Sequence, residues 1–153
     1  MIRIIEYSDE YRDDMIFMIL QAKDALRVIP RINPDLLDIK ANYQGNGGIK
    51  FWIAIANYNQ VVGCIGYKRI NNTDEAFIHR FYVKSNMKRM GIGTLLLAKA
   101  EDEMIADNIS VSKVHTGLSK NVWFESYYFY NKHGYIEYEP RYLKKKINFT
   151  AEK

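Results

Sequence analysis

Phe81-Tyr82-Val83-Lys84-Ser85-Asn86-Met87-Lys88-Arg89-Met90-Gly91-Ile92-Gly93-Thr94-Leu95-Leu96-Leu97 is the stretch on which the fold turns. An apolar strand ends at Val83, a basic loop follows, and two glycines open a run with helical spacing. Glycine lets backbone N–H groups approach a ligand closely, and a helix N-terminus carries orphan donors and partial positive charge. Strand end, basic turn and helix start are the parts of a phosphate cradle.

Charge is distributed to match. Residues 51–100 hold seven Lys/Arg against two Asp/Glu, whereas the segments on either side are close to balanced. The net charge of +4 is therefore concentrated around the glycine loop, as an anionic ligand requires. The run Lys144-Lys145-Lys146 is the only other basic stripe, too short for a nucleic-acid footprint. On an alternating strand it splits between two faces, as a solvated edge does. Acidic residues at Asp35, Asp38, Glu137 and Glu139 read as solvated surface, with attraction of a cationic amine as the alternative.

The length of 153 residues suits one domain with its own core, expected over the whole chain. Met15–Leu20, the main apolar run near the N-terminus, is too short to span a bilayer and follows acidic residues, so neither a membrane span nor a secretory leader is expected. Cys64 is the single cysteine; it reads as a buried structural thiol and fits a reducing, cytoplasmic setting. His79, His115 and His133 have no metal-ligand spacing and no second cysteine beside them, so no metal site is expected. The third glycine of a dinucleotide fingerprint and the Gly-Lys-Ser/Thr of a P-loop are both missing.

Outward from the loop, Ile2–Tyr7 reads as a strand. Ser8 caps a helix whose first turn holds Asp9 and Glu10 and whose apolar face is Met15, Met18, Ile19, Ala22, Ala25, Leu26 and Ile29, ending at Pro30. Asn33-Pro34 restarts a short helix carrying Leu36, Leu37 and Ile39, and Gln44–Gly48 is loop. Phe51–Ala56, Val61–Lys68 and Ala76–Val83 form an antiparallel meander. The helix after Gly91 buries Ile92, Leu95, Leu96, Ala100 and Met104, and turns Glu101, Asp102, Glu103 and Asp107 outward. Ser112–Thr116 is then a strand parallel to the last one. Lys120–His133 is an aromatic helix stopped by Gly134, and Tyr135–Glu139 with Tyr142–Phe149 closes the sheet. The expectation is an α/β (α+β) domain: a mixed, mostly antiparallel seven-stranded sheet with one central parallel βαβ step and about four helices.

These residues resemble the GCN5-related N-acetyltransferase (GNAT) superfamily. Its first signature, Gln/Arg-x-x-Gly-x-Gly/Ala after a strand ending in valine, is matched by Phe81-Tyr82-Val83, four residues, then Lys88-Arg89-Met90-Gly91-Ile92-Gly93. Its second, small-x-x-Phe-Tyr-x-x-x-Gly-Phe/Tyr, is matched by Ser126 to Tyr135 through Phe129-Tyr130 and Gly134. The resemblance implies acetyl-CoA as cosubstrate, no metal, and acetyl transfer to a primary amine of a small molecule or peptide. It implies that Lys88, Arg89, Met90, Gly91, Ile92, Gly93 and Thr94 cradle the CoA pyrophosphate. Phe81, Tyr82 and Val83 would pair with the pantetheine, a backbone N–H near Tyr82 or Val83 would face the oxyanion, and Ser126 would line the channel. Tyr130 would be the general acid, a phenol of free pKa ~10 beside a thiolate of free pKa ~8.5.

Three positions depart from the pattern. Lys88 stands for the usual Gln/Arg, Phe77 for the usual catalytic glutamate, and Trp123 for a frequent asparagine. Glu75 and His79, flanking Phe77 on one strand face, are then the candidates for general base, with His115 a third and a water relay a fourth route. A catalytically silent acyl-CoA-binding module of the same fold is the alternative. A role on RNA would rest on the lysine trio alone. The acceptor and the oligomeric state, a homodimer included, stay open.

Overall fold

The protein was analysed as a computed structural model, which describes residues 1–26, 29, 31–45, 47–117 and 124–148. In chain order its elements are β1 (Arg3–Glu6), α1 (Arg12–Ala25), α2 (Ile39–Asn42), β2 (Gln44–Gly45), β3 (Gly48–Ile49), β4 (Phe51–Ile55), β5 (Val61–Arg69), β6 (Glu75–Val83), α3 (Ile92–Ala106), β7 (Val111–His115), α4 (Phe124–Lys132), β8 (Ile136–Glu139) and β9 (Tyr142–Lys146), with short 3₁₀ turns between some of them. Seven strands form one mixed sheet in the order β1-β4-β5-β6-β7-β9-β8, the expected fold class. The single parallel pair among the described strands is β6 with β7, on either side of α3. Contacts group the residues into two compact units: Met1–Tyr67 with Arg80–Ala100, and Lys68–His79 with Glu101–Lys153.

The first unit owes its core to periodicity. Met15, Met18, Ile19 and Ala22 fall on one face of α1 at spacings of three and four, and all are buried. Met15, Met18 and Ile19 pack with Leu36, Ile39 and Tyr43 and with Phe51, Ile53 and Ile55, the alternate residues of β4. β4 is buried along its whole length, so its five residues are all apolar rather than alternating. Gly63 on β5 permits the close packing of α3. A Cβ there would meet Leu96 Cδ1 at 2.8 Å, the Tyr82 carbonyl at 3.1 Å and Ile92 Cγ2 at 3.2 Å. The first turns of α3 therefore lie directly on β5, beside the end of β6.

In the second unit β7 pairs with β9 from Val111↔Lys146 to His115↔Tyr142, and β9 pairs with β8. Tyr135 is fully buried, and its hydroxyl donates to Glu101 Oε2 at 2.8 Å and lies 2.7 Å from Ser112 Oγ. Burial, then the Glu101 carboxylate, holds this phenol far above its usual range.

Several local expectations are corrected. Ser8 precedes a 3₁₀ turn (Asp9–Tyr11) and makes no cap; its hydroxyl donates to Glu10, and α1 starts only at Arg12 and ends at Ala25, short of Ile29. Leu37 is exposed although Leu36 and Ile39 are buried, because Pro34–Leu37 is a 3₁₀ turn with a different period. Gln44–Gly48 is not loop throughout: β2 and β3 pair as a two-residue ladder. On α3 Leu95 is exposed and Leu97 buried, and Glu101 is turned inward to meet Tyr135 and Lys145. The lysine trio is not at an edge, since β9 lies between β7 and β8, though Lys144 and Lys146 do face solvent and Lys145 does not. Position 149 and residues 118–123 lie outside the described residues, which leaves Trp123 and the first turn expected of the aromatic helix there; its described part runs to Lys132 and stops at left-handed Gly134. No described helix is long and apolar enough to cross a membrane.

Gly63→Ala is expected to cost about 1–3 kcal/mol by overpacking, since one of the atoms it meets is a backbone carbonyl that cannot swing aside. Urea unfolding of the variant checks this; an unchanged midpoint would show that α3 can lift off β5 freely.

Candidate active site

The loop belongs to the first unit. Beyond Val83, the Lys84 N–H donates to the Val62 carbonyl (2.8 Å), which pins the strand end before the turn. Arg89 at φ +68° and Gly91 at φ +81° are both left-handed. Alternation of this kind turns successive amides toward one concavity. The first rung of α3 runs from the Leu95 N–H to the Gly91 carbonyl (3.0 Å), so the amides of Ile92 and Gly93 precede the helical ladder. Apart from its own chain neighbours, no described residue comes within 4 Å of where a Gly91 Cβ would stand. Lys88, Arg89, Met90 and Gly91 are all exposed. The result is an open backbone cradle with two cations at its rim and a helix N-terminus at its floor, a shape and charge suited to a pyrophosphate.

Upstream, β6 changes character part-way. Glu75↔Val111, Ala76↔Ser112 and Phe77↔Lys113 are paired, and the parallel register stops there while both strands continue. Arg80 then takes φ +52°, unusual for a residue with a side chain. Its Nε and Nη2 grip Asp35 at 3.0–3.3 Å. Tyr43 also donates to that carboxylate, and the Cys64 thiol donates to the Arg80 carbonyl at 3.2 Å. Burial alone would raise the Asp35 carboxyl, but the hydrogen bonds from Arg80 and Tyr43 outweigh it and hold it below its usual range. Burial pushes the Cys64 thiol well up, which makes it a packed, unreactive group.

The remaining sequence candidates lie in the second unit. Glu75, Phe77 and His79 alternate along β6 with buried Ala76 and Ile78, as residues of one strand face do. The Glu75 carboxylate is engaged by Lys113 Nζ at 2.7 Å, a contact that raises the lysine's pKa. His115 is exposed and stacks on Tyr142 at 4.4 Å. Tyr130 is buried on α4, one turn after half-buried Ser126, and its ring meets Tyr135 edge-on at 5.5 Å. Tyr127 accepts from Thr116 Oγ1 at 3.1 Å. No cluster of three metal-ligating side chains occurs among the described residues.

A family model, the acetyltransferase (GNAT) family, matches residues 15–135. The chain belongs to the GNAT acetyltransferase family. The family's cosubstrate is acetyl-CoA, and the cradle before α3 has the open space and donors that its pyrophosphate needs. A GNAT-family acetyltransferase from Staphylococcus aureus Mu50 is 27% identical, with a TM-score of 0.82 over 97% of this chain and 100% of its own. The PaiA N-acetyltransferase of Thermoplasma acidophilum, solved with coenzyme A, is 18% identical (TM-score 0.73, 95% of this chain and 99% of its own). The ribosomal-protein-S18-alanine N-acetyltransferase of Escherichia coli is 15% identical (TM-score 0.75, 97% and 96%). These last two share the fold. No curated protein matches significantly.

Arg80 is the polar group left without a role by the sequence, and Asp35 and Glu101, expected at the surface, are engaged by partners instead. The signal for the first was present: a charged residue inside Ala76–Val83, an otherwise strand-like run. Asp35 and Asp38, read as solvated surface, are both occupied: one holds Arg80 and Tyr43, the other accepts from the Ala41 N–H and caps α2.

Gly91→Ala is expected to cost about 1–2 kcal/mol in the left-handed backbone and to weaken CoA several-fold. Gly91→Leu projects into space that no described residue beyond its chain neighbours fills, so it should lose tenfold or more in CoA affinity with little further loss of stability; titration calorimetry beside thermal unfolding reads both, and equal affinities for the two variants would remove the ligand from that space. For Asp35, a folded pKa below the unfolded ~3.9 means that its stabilisation is complete above about pH 5 and disappears as pH falls through the folded value. The gap in urea midpoint between the parent and Asp35→Asn should stay constant from pH 7 to 5 and close toward pH 2.5.

Proposed function

We propose that the chain is an acetyl-CoA-dependent N-acetyltransferase acting on a primary amine of a small molecule or protein, a single catalytic domain spanning residues 1–153. The observation that carries this reading is the open cradle of left-handed Arg89 and Gly91 in front of α3, at the end of a strand that has left its parallel partner. Amides from Arg89 to Thr94 hold the pyrophosphate, with Lys88 and Arg89 adding charge at the rim. The Phe81–Val83 backbone takes the pantetheine as an added strand. Acetyl-CoA supplies the acyl group as an activated thioester. An N–H near Tyr82 or Val83 stabilises the oxyanion, and Tyr130 gives the departing sulfur its proton.

Glu75 and His79 are the base candidates; the Glu75 carboxylate is engaged by Lys113, and an imidazole is the side chain suited to proton transfer near neutral pH. The engagement of Glu75, together with Phe77 at the usual glutamate position, is what favours the second reading, a silent acyl-CoA-binding module. Retention of the Tyr130 motif supports the enzyme.

Release of free CoA thiol, followed with an amine panel, separates the two readings: CoA binding with no amine-dependent release would leave only the binding module. Tyr130→Phe should lower kcat about a hundredfold or more with KM for acetyl-CoA nearly unchanged. Turnover at the parental rate would take the acid role from Tyr130.

A further inference from the structure

Arg80 is held on one edge and available on the other. Asp35 occupies its Nε and Nη2, and no described residue accepts from Nη1. The side chain keeps 31% of its surface exposed although its anchor keeps only 14%. Asp35 has nothing further to give, because its second oxygen also accepts from Tyr43. A pin between β6 and the Pro34–Leu37 turn would need only the occupied edge of the guanidinium.

The surroundings add positive charge rather than cancel it. Lys23 is 7% exposed, and its ammonium donates to the Arg31 carbonyl (2.7 Å) and Asn33 Oδ1 (2.5 Å), both neutral oxygens. Burial and then the charge of Arg80 lower its pKa, so the two cations feel each other. Tyr82 and Cys64 complete the neighbourhood and carry no charge to offset them. Asp35 is thus bonded to Arg80 alone of the two cations, while Lys23 is held by neutral oxygens. The strained backbone lies here as well, at Arg80 itself.

We infer that Arg80 Nη1 anchors an anionic group, a carboxylate, on the amine acceptor, so that the preferred substrates are amino acids or amino-acid-like amines rather than simple cationic amines. The inference rests on the N-acetyltransferase reading for its setting, since Arg80 immediately precedes the Phe81–Val83 backbone assigned to the pantetheine. A carboxylate held at that point would keep its amine close to the thioester end of the strand. A charge-assisted hydrogen bond to a half-buried guanidinium is worth about tenfold or more in selectivity.

The test compares ω-amino acids of two to six carbons with n-alkylamines of the same length at fixed pH. The parent protein should prefer the amino acid at least tenfold in kcat/KM at its best chain length. Arg80→Gln combined with Asp35→Asn removes both charges together and should bring that ratio to within about twofold while CoA affinity is kept. Arg80→Lys, whose one ammonium is taken by Asp35, should lose most of the preference and serves if the double variant does not fold. Equal use of both series by the parent, or a preference that survives in the variants, overturns the anchor and leaves the acetyltransferase reading intact. Saturation-transfer NMR of the same amino acids on CoA-loaded protein reads the anchor without turnover. Signals lost in the variants support it even where no amine is acetylated, an outcome that sinks the activity instead; no signal in the parent overturns the anchor.

Discussion

A hydrogen atom in place of a side chain at Gly63 sets where α3 begins. With the Tyr82 carbonyl, Leu96 and Ile92 all within contact of the missing Cβ, the helix can lie flat on β5 only because nothing projects there. That depth decides where the orphan amides of the first helical turn end up, and they end up beside the last residues of β6. The Lys84 to Val62 hydrogen bond then fixes the height at which the chain leaves the strand. A cradle built from backbone amides has no side chain to adjust its aim, so its geometry is inherited from packing further back. The demanding position in the first unit is therefore not in the signature Lys88–Gly93 but twenty-eight residues ahead of Gly91, in a strand with no chemistry of its own.

The second unit solves a different problem, that of keeping polar groups inside. Glu101 faces inward from α3 and is met by Tyr135 and by Lys145 at 3.0 Å, while Ser112 takes the other side of the phenol. Each group alone would be costly to bury; together they satisfy one another. The Tyr135 ring in turn sets the edge against which Tyr130 packs. Tyr135, tied at its own hydroxyl by Glu101 and Ser112, is thus a well-anchored edge for the Tyr130 ring.

What the chain declares in its sequence follows from where the physics is local. The strands, the order of elements and the parallel step were legible because alternation, helical spacing and turn residues act over a few positions. The loop was legible because glycines and a basic turn before a helical run are local features, and Gly91 is left-handed. Errors came where tertiary partners override local preference. Ser8 has capping chemistry but spends its hydroxyl on Glu10; Glu101 has an outward charge by pattern but an inward partner 34 residues away in Tyr135. Leu95 and Leu97 exchange roles because three consecutive leucines leave the helical phase undetermined to within one residue. Arg80 and Asp35 are 45 residues apart, and no spacing rule links a strand arginine to an aspartate in a 3₁₀ turn.

The same strand shows why the acceptor side is harder to read than the cofactor side. Through Phe77, β6 obeys sheet rules: a parallel partner and alternate residues buried. From Arg80 on, the backbone has passed through a left-handed residue, and Phe81, Tyr82 and Val83 are all half-buried with no alternation left. Alternation disappears where a strand stops serving a sheet and starts offering its edge to something else. A cofactor held by main-chain atoms asks little of the side chains, so a family pattern can survive large divergence. Recognition by side chains has no such tolerance, and the side chain at the change here is a guanidinium with one edge engaged by Asp35. The position that breaks the strand's regularity is thus also the one whose side chain finds its partner 45 residues away, where local pattern has no hold.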